Sequence, residues 1–331
     1  GAKAILTSQS KITHHSLLRR KSGKTRELLR VIKELTRSYS TIPYNDLGEA
    51  LDTNSQKDNR SKRMKDLISE GMITISLANQ KGGVGKTTSA ATFGAILAAD
   101  GQRVLLVDLD PQGSLTQSLG IDAQGASVAE VLGGSARGSL TLSDIIQPIK
   151  ERLDLAPSDI ALAAAELGLT QRIGRESVLK QALQSVGASY DVCLVDSPPS
   201  LGILTTNALA ASDGVIIPTL PAAADLRGVR MFLDTIETVK SAGLNNALDI
   251  IGVLVVQFDG RTLAHNDALE TIRGAGLDVI GIIPRGVRVQ ESAATSETLL
   301  DYDPQGKPTA AYLEAAERLK QWLNEQPQKA R

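Results

Sequence analysis

The sequence predicts an α/β protein: a mostly parallel sheet with helices on both faces, preceded by a small all-α or winged helix-turn-helix domain. Three observations support this. From Met72 onward, short β-branched apolar runs alternate with helical stretches, as in parallel sheets covered on both faces. A glycine-rich loop follows the first apolar run and leads into a helix. Residues 1–71 instead contain short helical patterns separated by polar breaks, with 15 Lys/Arg and 8 Asp/Glu.

Composition narrows the class of protein. Apolar residues make up 42% of the 331 residues, which is typical of a globular chain. No stretch reaches the roughly 18 apolar residues of a membrane span, and the polar, basic start does not resemble a secretory signal. The single cysteine, Cys193, excludes an internal disulfide and a CxxC metal site. We therefore expect a cytoplasmic protein.

The strands are predicted from apolar runs and the helices from their 3.6-residue spacing. Helices are expected at 87–99 and 227–243, and a further strand is a candidate at 153–158. The six principal strands are predicted at 72–78, 103–110, 191–199, 214–220, 249–258 and 277–284.

Three domains follow from these patterns: a basic flexible arm at 1–22, a helix-turn-helix-like DNA-binding domain at 23–71, and the sheet domain at 72–331. Within the second, a short helix, a polar turn and a basic helix favour contact with DNA. The alternative is a helical arm used for dimerisation or packing. The basic residues expected to face phosphate or the major groove are Lys57, Arg60, Lys62, Arg63 and Lys65.

The loop NQKGGVGKTTSA, residues 79–90, contains the end of the phosphate-binding pattern G-x-x-x-x-G-K-[ST]. Its glycines let backbone N–H groups approach phosphate oxygens at a helix N-terminus. Lys86 is expected to contact the β- and γ-phosphates and Thr87 to ligate Mg²⁺. A glycine turn with an incidental lysine is the alternative, which the strand-loop-helix context disfavours. The predicted nucleotide-binding residues here are Lys81, Gly82, Gly83, Val84, Gly85, Lys86, Thr87 and Thr88.

Carboxylates close two other apolar strands. Asp196 ends VCLVD before a Pro-Pro turn, the Walker B pattern, whereas Asp108 and Asp110 end LLVDLD. Ligands of open α/β sheets bind at this edge, so these side chains are candidates for the metal side of the site. One of the pair Asp108 and Asp110 could be purely structural.

Five segments carry a more specific similarity: KGGVGKTT, VDLDPQGS, LVDSPPSLGILTTNAL, FDGRT and IPRGVRVQESAATSETLLDYDP, in this order. Over about residues 72–325 the chain resembles the ParA-type partition ATPases of the deviant Walker A class, P-loop proteins that use ATP/ADP and Mg²⁺. Chains of that family with an additional N-terminal helix-turn-helix repress their own operon, and this chain is similar to them in layout. After strand 214–220 it departs from the family, with PAAADLRG in place of an aromatic-containing stretch.

The resemblance implies a role for the extra lysine. Lys81 would reach the partner's phosphates across an ATP-sandwich dimer, a lysine version of the arginine finger. Asp110 would position the attacking water and is a second candidate for the metal, and Asp196 would hold Mg²⁺ through water. Pro284 and Arg285 would lie near the adenine. The arginines implied in non-specific DNA binding are Arg261, Arg285 and Arg288.

Other functions of the same ATPase class remain open. A reductase needs cluster cysteines, which a chain with one cysteine lacks. A MinD-like membrane positioner needs an exposed amphipathic tail, whereas the C-terminal stripe from Tyr312 to Leu323 is more typical of a packed helix. A protein that positions organelles or chemotaxis arrays would use the same switch. An ATP-dependent ligase is a further alternative, and Lys81 argues against it.

The resemblance thus implies a slow, Mg-dependent ATPase for DNA segregation, of plasmid or chromosome. It would form an ATP-dependent homodimer, bind DNA non-specifically and associate with the nucleoid. A ParB-like centromere-binding partner would stimulate hydrolysis, and no membrane partner is expected.

Overall fold

The computed structural model describes residues 71–123, 126–133 and 140–326. The predicted arm and the helix-turn-helix-like segment, with its five basic residues, lie outside this part of the chain.

One sheet forms the centre of the described chain, in the order β3-β4-β2-β5-β1-β6-β7-β8. Neighbouring strands are parallel except β3 and β4, which are antiparallel. The mostly parallel sheet is therefore confirmed. The strands are β1 (Ile73–Leu77), β2 (Val104–Asp108), β3 (Gln147–Lys150), β4 (Leu153–Ala156), β5 (Val192–Asp196), β6 (Gly214–Thr219), β7 (Asp249–Phe258) and β8 (Val279–Pro284).

Helices connect the strands and cover the sheet. They are α1 (Lys86–Ala99), α2 (Ser114–Ser118), α3 (Val128–Gly133), α4 (Leu142–Ile145), α5 (Ala161–Leu169), α6 (Val178–Gln184), α7 (Ile203–Ala211), α8 (Ala223–Ser241), α9 (Leu263–Gly274), α10 (Arg288–Ala294), α11 (Leu299–Tyr302) and α12 (Lys307–Glu325). None of these helices is both long and apolar enough to cross a membrane.

Side chains of the central strands alternate between two apolar layers. In β5, Leu194 packs with the layer under α1 and α12, whereas Cys193 and Val195 pack against α6 and α7 on the other face. In β7, Leu254 belongs to the first layer, and Val253 contacts the layer under α8 and α9. Because both faces are buried, the strands are apolar at nearly every position.

The carboxyl ends of three strands meet at one edge. Asp196 of β5 is in register with Leu77 at the end of β1 and with Asp108 at the end of β2. The phosphate-loop sequence follows β1 directly, so the sheet places it beside both carboxylates.

Two elements differ from the sequence-based expectation. Strand β3 was not predicted, because QPIK is short, half exposed and contains a proline. Helix α8 begins at Ala223, four residues before the expected start.

The terminal helix α12 packs on the sheet as expected. Tyr312 and Leu319 of this helix are buried. Leu313, which lies within the stripe predicted to pack, is exposed.

Candidate active site

A cavity of about 640 Å³ opens at the carboxyl edge of the sheet, between the phosphate loop and the segment that follows β8. It brings together most of the residues predicted for the nucleotide. Those that line it are Gly82, Gly83, Gly85, Lys86, Thr87, Thr88, Asp110, Pro284 and Arg285. Val84 is instead fully buried beneath the loop, and Asp196 is buried behind Thr87.

The loop has the backbone that its glycines predict. Gly83 and Gly85 have φ of +73° and +79°, a left-handed conformation that costs little only in glycine. Gly85 caps the N-terminus of α1, where free N–H groups and the helix dipole favour an anion. The loop is therefore already shaped to receive phosphate oxygens.

Lys86 projects from the first turn of α1 and is almost fully buried. Its Nζ donates to the backbone carbonyl oxygen of Lys81 at 3.1 Å. Burial lowers the pKa of Lys86, and the carboxylates of Asp196 and Asp110 oppose that shift. The ammonium is thus desolvated inside the loop, where an anion would be attracted strongly.

Asp196 and Thr87 form the metal side of the site. The Thr87 hydroxyl donates to Asp196 Oδ2 at 2.6 Å, and Asp196 Oδ1 is buried with no hydrogen-bond partner. Burial raises the pKa of Asp196 well above its ordinary value, as does the neighbouring carboxylate of Asp108. A buried carboxyl oxygen without a partner is costly unless a cation or donor reaches it.

Asp108 supports the backbone around the site. Its Oδ2 accepts from the Thr116 hydroxyl at 2.7 Å and from the Thr116 N–H at 2.9 Å. Its Oδ1 accepts from the Asp110 N–H at 3.1 Å. Burial raises the pKa of Asp108 to about 6, although these hydrogen bonds oppose the shift. Asp108 ends β2 and is fully buried, and its hydrogen bonds are to the Asp110 N–H and to Thr116.

Asp110 lies at the wall of the cavity and is only half-buried. Its Oδ1 accepts from the Gln112 N–H at 2.9 Å, and its carbonyl accepts from the Ser158 hydroxyl at 2.8 Å. These contacts fix Asp110 at the cavity wall.

Lys81 is turned toward its own chain. Its Nζ lies 2.6 Å from Oδ1 of Asp225, a buried residue in the first turn of α8. The Lys81 backbone N–H donates to Asn79 Oδ1 at 3.1 Å, and Asn79 in turn donates to the Pro218 carbonyl at 2.7 Å. These hydrogen bonds therefore fix the backbone of Lys81 relative to the end of β6.

The arginines predicted to bind DNA are placed differently from one another. Arg285 is exposed at the rim of the cavity. Arg288 begins α10 and lies 3.7 Å from Asp303. Arg261 is 91% exposed but forms two hydrogen bonds to Asp259, at 2.9 and 2.8 Å. Its charge is already paired within the chain.

Several residues in and around the site were missed from the sequence, and three of them bear on function. Asp225 is separated from Lys81 by more than 140 positions, and no local pattern joins them. Tyr312 lines the cavity and shares a 2.9 Å hydrogen bond with Ser89, but its helical spacing indicated only packing. Gln257, also on the cavity wall, has a backbone conformation that sequence does not reveal.

The residues present fit a nucleotide with magnesium. The cavity volume of about 640 Å³ is typical of a small-molecule site. Lys86 and Thr87 line it, and the unpartnered Oδ1 of Asp196 is buried behind Thr87. No group of three His, Cys, Asp or Glu side chains suited to a metal occurs in the described residues. Mg²⁺ is usually held by one or two protein ligands together with phosphate oxygens and water, which agrees with this arrangement.

Comparison with known proteins supports the same interpretation. The family model described as AAA domain (AAA_31) matches residues 72–250. The chain is 41% identical over 248 residues to the sporulation initiation inhibitor protein Soj of Bacillus subtilis, covering 74% of this chain and 97% of that protein. It is 40% identical over 247 residues to the chromosome-partitioning ATPase Soj of Thermus thermophilus, covering 74% and 94%.

A solved structure shares the fold and much of the sequence. It is the cobyrinic acid a,c-diamide synthase of Mycobacterium smegmatis with bound ATP analog and magnesium, with a TM-score of 0.67 and 38% identity. The match covers 78% of this chain and 98% of that one. Together with the phosphate loop, the strand-end carboxylates and the matched family model, these similarities show that the chain belongs to the ParA/Soj family of P-loop ATPases.

Proposed function

We propose that this protein is an Mg-ATP-dependent DNA-partition ATPase. The observation that supports this most is the pair of lysines in one loop: Lys86 is buried inside it, and Lys81 lies exposed at its mouth. A P-loop needs only the first of these for its own phosphates. The second is not needed for those phosphates, and the resemblance to ParA-type ATPases implies that it serves a partner.

The bound nucleotide supplies a phosphoanhydride bond, and Mg²⁺ neutralises charge that develops on the phosphates. Lys86 and the glycine N–H groups hold the β- and γ-phosphates in the loop. Thr87 and Asp196 would hold Mg²⁺. Asp110 accepts a hydrogen bond from the attacking water and orients it in line with the phosphate.

Lys81 completes the site of a second copy. Its Nζ leaves Asp225 and reaches the phosphates bound by the partner, where it stabilises transition-state charge. A closed dimer of this kind presents Arg285 and Arg288, and to a lesser degree Arg261, to the phosphates of DNA. Hydrolysis, stimulated by a ParB-like partner, opens the dimer and releases it from the nucleoid.

The proposal also includes a function for the segment that precedes the ATPase domain. Residues 1–22 form a basic arm, and residues 23–71 form a DNA-reading domain through which the protein represses its own operon. The support is its basic composition and the order of its helical patterns. Residues 72–331 form the ATPase domain.

A synthase that uses ATP is the second candidate for the function of this protein. It is suggested by the name of the Mycobacterium smegmatis structure. The names of the two Soj relatives favour partition, and they also favour it over an organelle, array or cell-division positioner. DNA binding distinguishes partition from a synthase, because a synthase has no use for it.

The test is binding of the full-length protein to a random-sequence DNA duplex with ATP, ADP or no nucleotide, in the presence of Mg²⁺. We expect binding with ATP only, a DNA-bound species of dimer mass, and faster hydrolysis when the neighbouring operon product is added. Equal and weak binding under all three conditions would contradict the partition function. A second arm compares operator and scrambled duplexes for the full-length protein and the 72–331 fragment, and loss of operator preference in the fragment supports the DNA-reading domain.

A further inference from the structure

Gln257 has an unusual backbone for its residue type. Its φ is +54°, and of the three non-glycine residues with positive φ in the described ranges, Gln257 alone lines the candidate active site. The left-handed conformation costs a residue with a Cβ free energy and persists where the surroundings impose it, often at ligand sites. A glycine would avoid this cost, so the presence of a glutamine side chain at position 257 needs an explanation.

The position of Gln257 is set by a bulge between the last two strands. Pairing of β7 with β8 shifts between Val255 and Phe258. The preceding Val256 side chain packs under the phosphate loop, where a Cβ added to Gly85 would lie 3.4 Å from it. On the other side, the Arg285 N–H donates to the Phe258 carbonyl at 3.1 Å. Gln257 is therefore held between the start of α1 and the segment after β8.

The polar groups nearby limit what could recognise a base. The Arg285 N–H is already used by Phe258, and the Arg285 guanidinium can only donate. A carboxamide both donates and accepts in one plane. Among the described residues, three carboxamides line the cavity: Gln112 lies beside Asp110, Gln290 lies on the short helix α10, and Gln257 lies at the bulge between β7 and β8.

Purine edges differ in what they offer such a group. The N6/N7 edge of adenine presents one donor and one acceptor, whereas the O6/N7 edge of guanine presents two acceptors. A carboxamide thus makes two hydrogen bonds to adenine and one to guanine. We propose that Gln257 reads the N6/N7 edge of the bound base and selects ATP over GTP. This inference rests on the proposed function, since it requires the cavity to hold a nucleotide.

The experiment measures equilibrium binding of ATP, GTP and 7-deaza-ATP, with Mg²⁺, by displacement of a fluorescent nucleotide. 7-Deaza-ATP lacks the N7 acceptor but keeps the phosphates. We expect wild-type protein to bind it roughly three- to tenfold more weakly than ATP, the value of one hydrogen bond. We expect GTP to bind roughly 5- to 100-fold more weakly.

Gln257→Gly is the test variant, because glycine accepts φ +54° and keeps the bulge. It should bind ATP and 7-deaza-ATP equally, lose most of its preference over GTP, and melt no lower than wild type. The matched control is Gln184→Ala, a change to an exposed carboxamide outside the cavity, which should keep both preferences.

Two outcomes would overturn the inference: wild-type protein that binds ATP and 7-deaza-ATP equally, or Gln257→Gly that keeps the wild-type preferences. The first outcome is measured on wild-type protein, so it can overturn the inference even if the Gln257→Gly variant does not fold. Wild-type protein that binds no nucleotide would overturn the proposed function itself, which distinguishes the two failures.

Discussion

The ammonium of Lys81 lies 2.6 Å from Oδ1 of Asp225, and the two residues belong to one chain. Asp225 is buried, whereas the Lys81 side chain is 45% exposed. A buried carboxylate that lost this partner would remain poorly compensated. The Lys81 ammonium is therefore held by its own chain in this structure. Any contact with a partner's phosphates has to replace this ion pair.

Removing the negative charge of Asp225 should release Lys81 from this ion pair. We expect Asp225→Asn, which keeps the shape of the side chain but not its charge, to dimerise at a lower ATP concentration than wild type. Basal hydrolysis should rise with it. Sedimentation velocity across an ATP titration measures the first effect. Asp234→Asn, an exposed change on the same helix, is the control, and a dimer weakened by Asp225→Asn would show that Asp225 supports the active state instead.

Asp110→Ala should separate binding from turnover. The phosphate contacts of Lys86 and the loop do not involve this carboxylate, so ATP affinity should stay within a few-fold of wild type. Turnover should fall roughly 100-fold or more, because the water loses its oriented acceptor. The variant should stay on DNA, whether or not the partner protein is added. Near-normal hydrolysis would transfer the role to another carboxylate.

The raised pKa of Asp108 predicts how stability depends on pH. The folded state holds this proton up to pH about 6, against an unfolded value of 3.8. The stabilisation is therefore complete below pH 3.8 and is lost as pH rises through 6. Asp108→Asn cannot ionise, so the free energy of unfolding of wild type minus variant should fall by up to about 3 kcal/mol between pH 4 and 7.5. Urea unfolding without nucleotide measures it, and a constant difference would refute the shift.

The pairing of Arg261 with Asp259 predicts unequal roles for the DNA arginines. Arg288→Ala should reduce the slope of log affinity against log salt by about 0.9, the value of one phosphate contact. Arg261→Ala should change the slope less, because its guanidinium makes two hydrogen bonds to Asp259, whereas Arg288 lies 3.7 Å from Asp303. Fluorescence anisotropy of random DNA with ATP, at four salt concentrations, gives both slopes. A larger effect for Arg261→Ala would mean that DNA displaces Asp259.

Much of this molecule could be predicted from local patterns. The strands were found because both faces of the sheet are buried, which makes each strand an apolar run, and the phosphate loop because glycine, lysine and threonine stand at fixed spacing. Asp196 followed from its place at a strand end. Strand β3, half exposed and containing Pro148, carries no such pattern.

The remaining features depend on contacts between distant segments. Asp225 meets Lys81 only because α8 begins beside the phosphate loop, and the positive φ of Gln257 results from a bulge between β7 and β8. The sequence could not separate Asp108 from Asp110, since both fall within one predicted strand. In the structure Asp108 is fully buried at the end of β2, whereas Asp110 lies beyond the strand and lines the cavity.

We propose that the two lysines of one loop serve two different active sites. The most direct measurement is a titration of ATP, followed by both nucleotide binding and sedimentation, for Lys86→Ala and Lys81→Ala. Lys86→Ala should lose roughly 100-fold or more in ATP affinity, because a buried cation is removed from beside the phosphates. Lys81→Ala should bind ATP as a monomer with near-normal affinity, yet form no dimer and hydrolyse no ATP above background. Equal loss of ATP affinity in the two variants, or an ATP-dependent dimer of Lys81→Ala, would contradict the account.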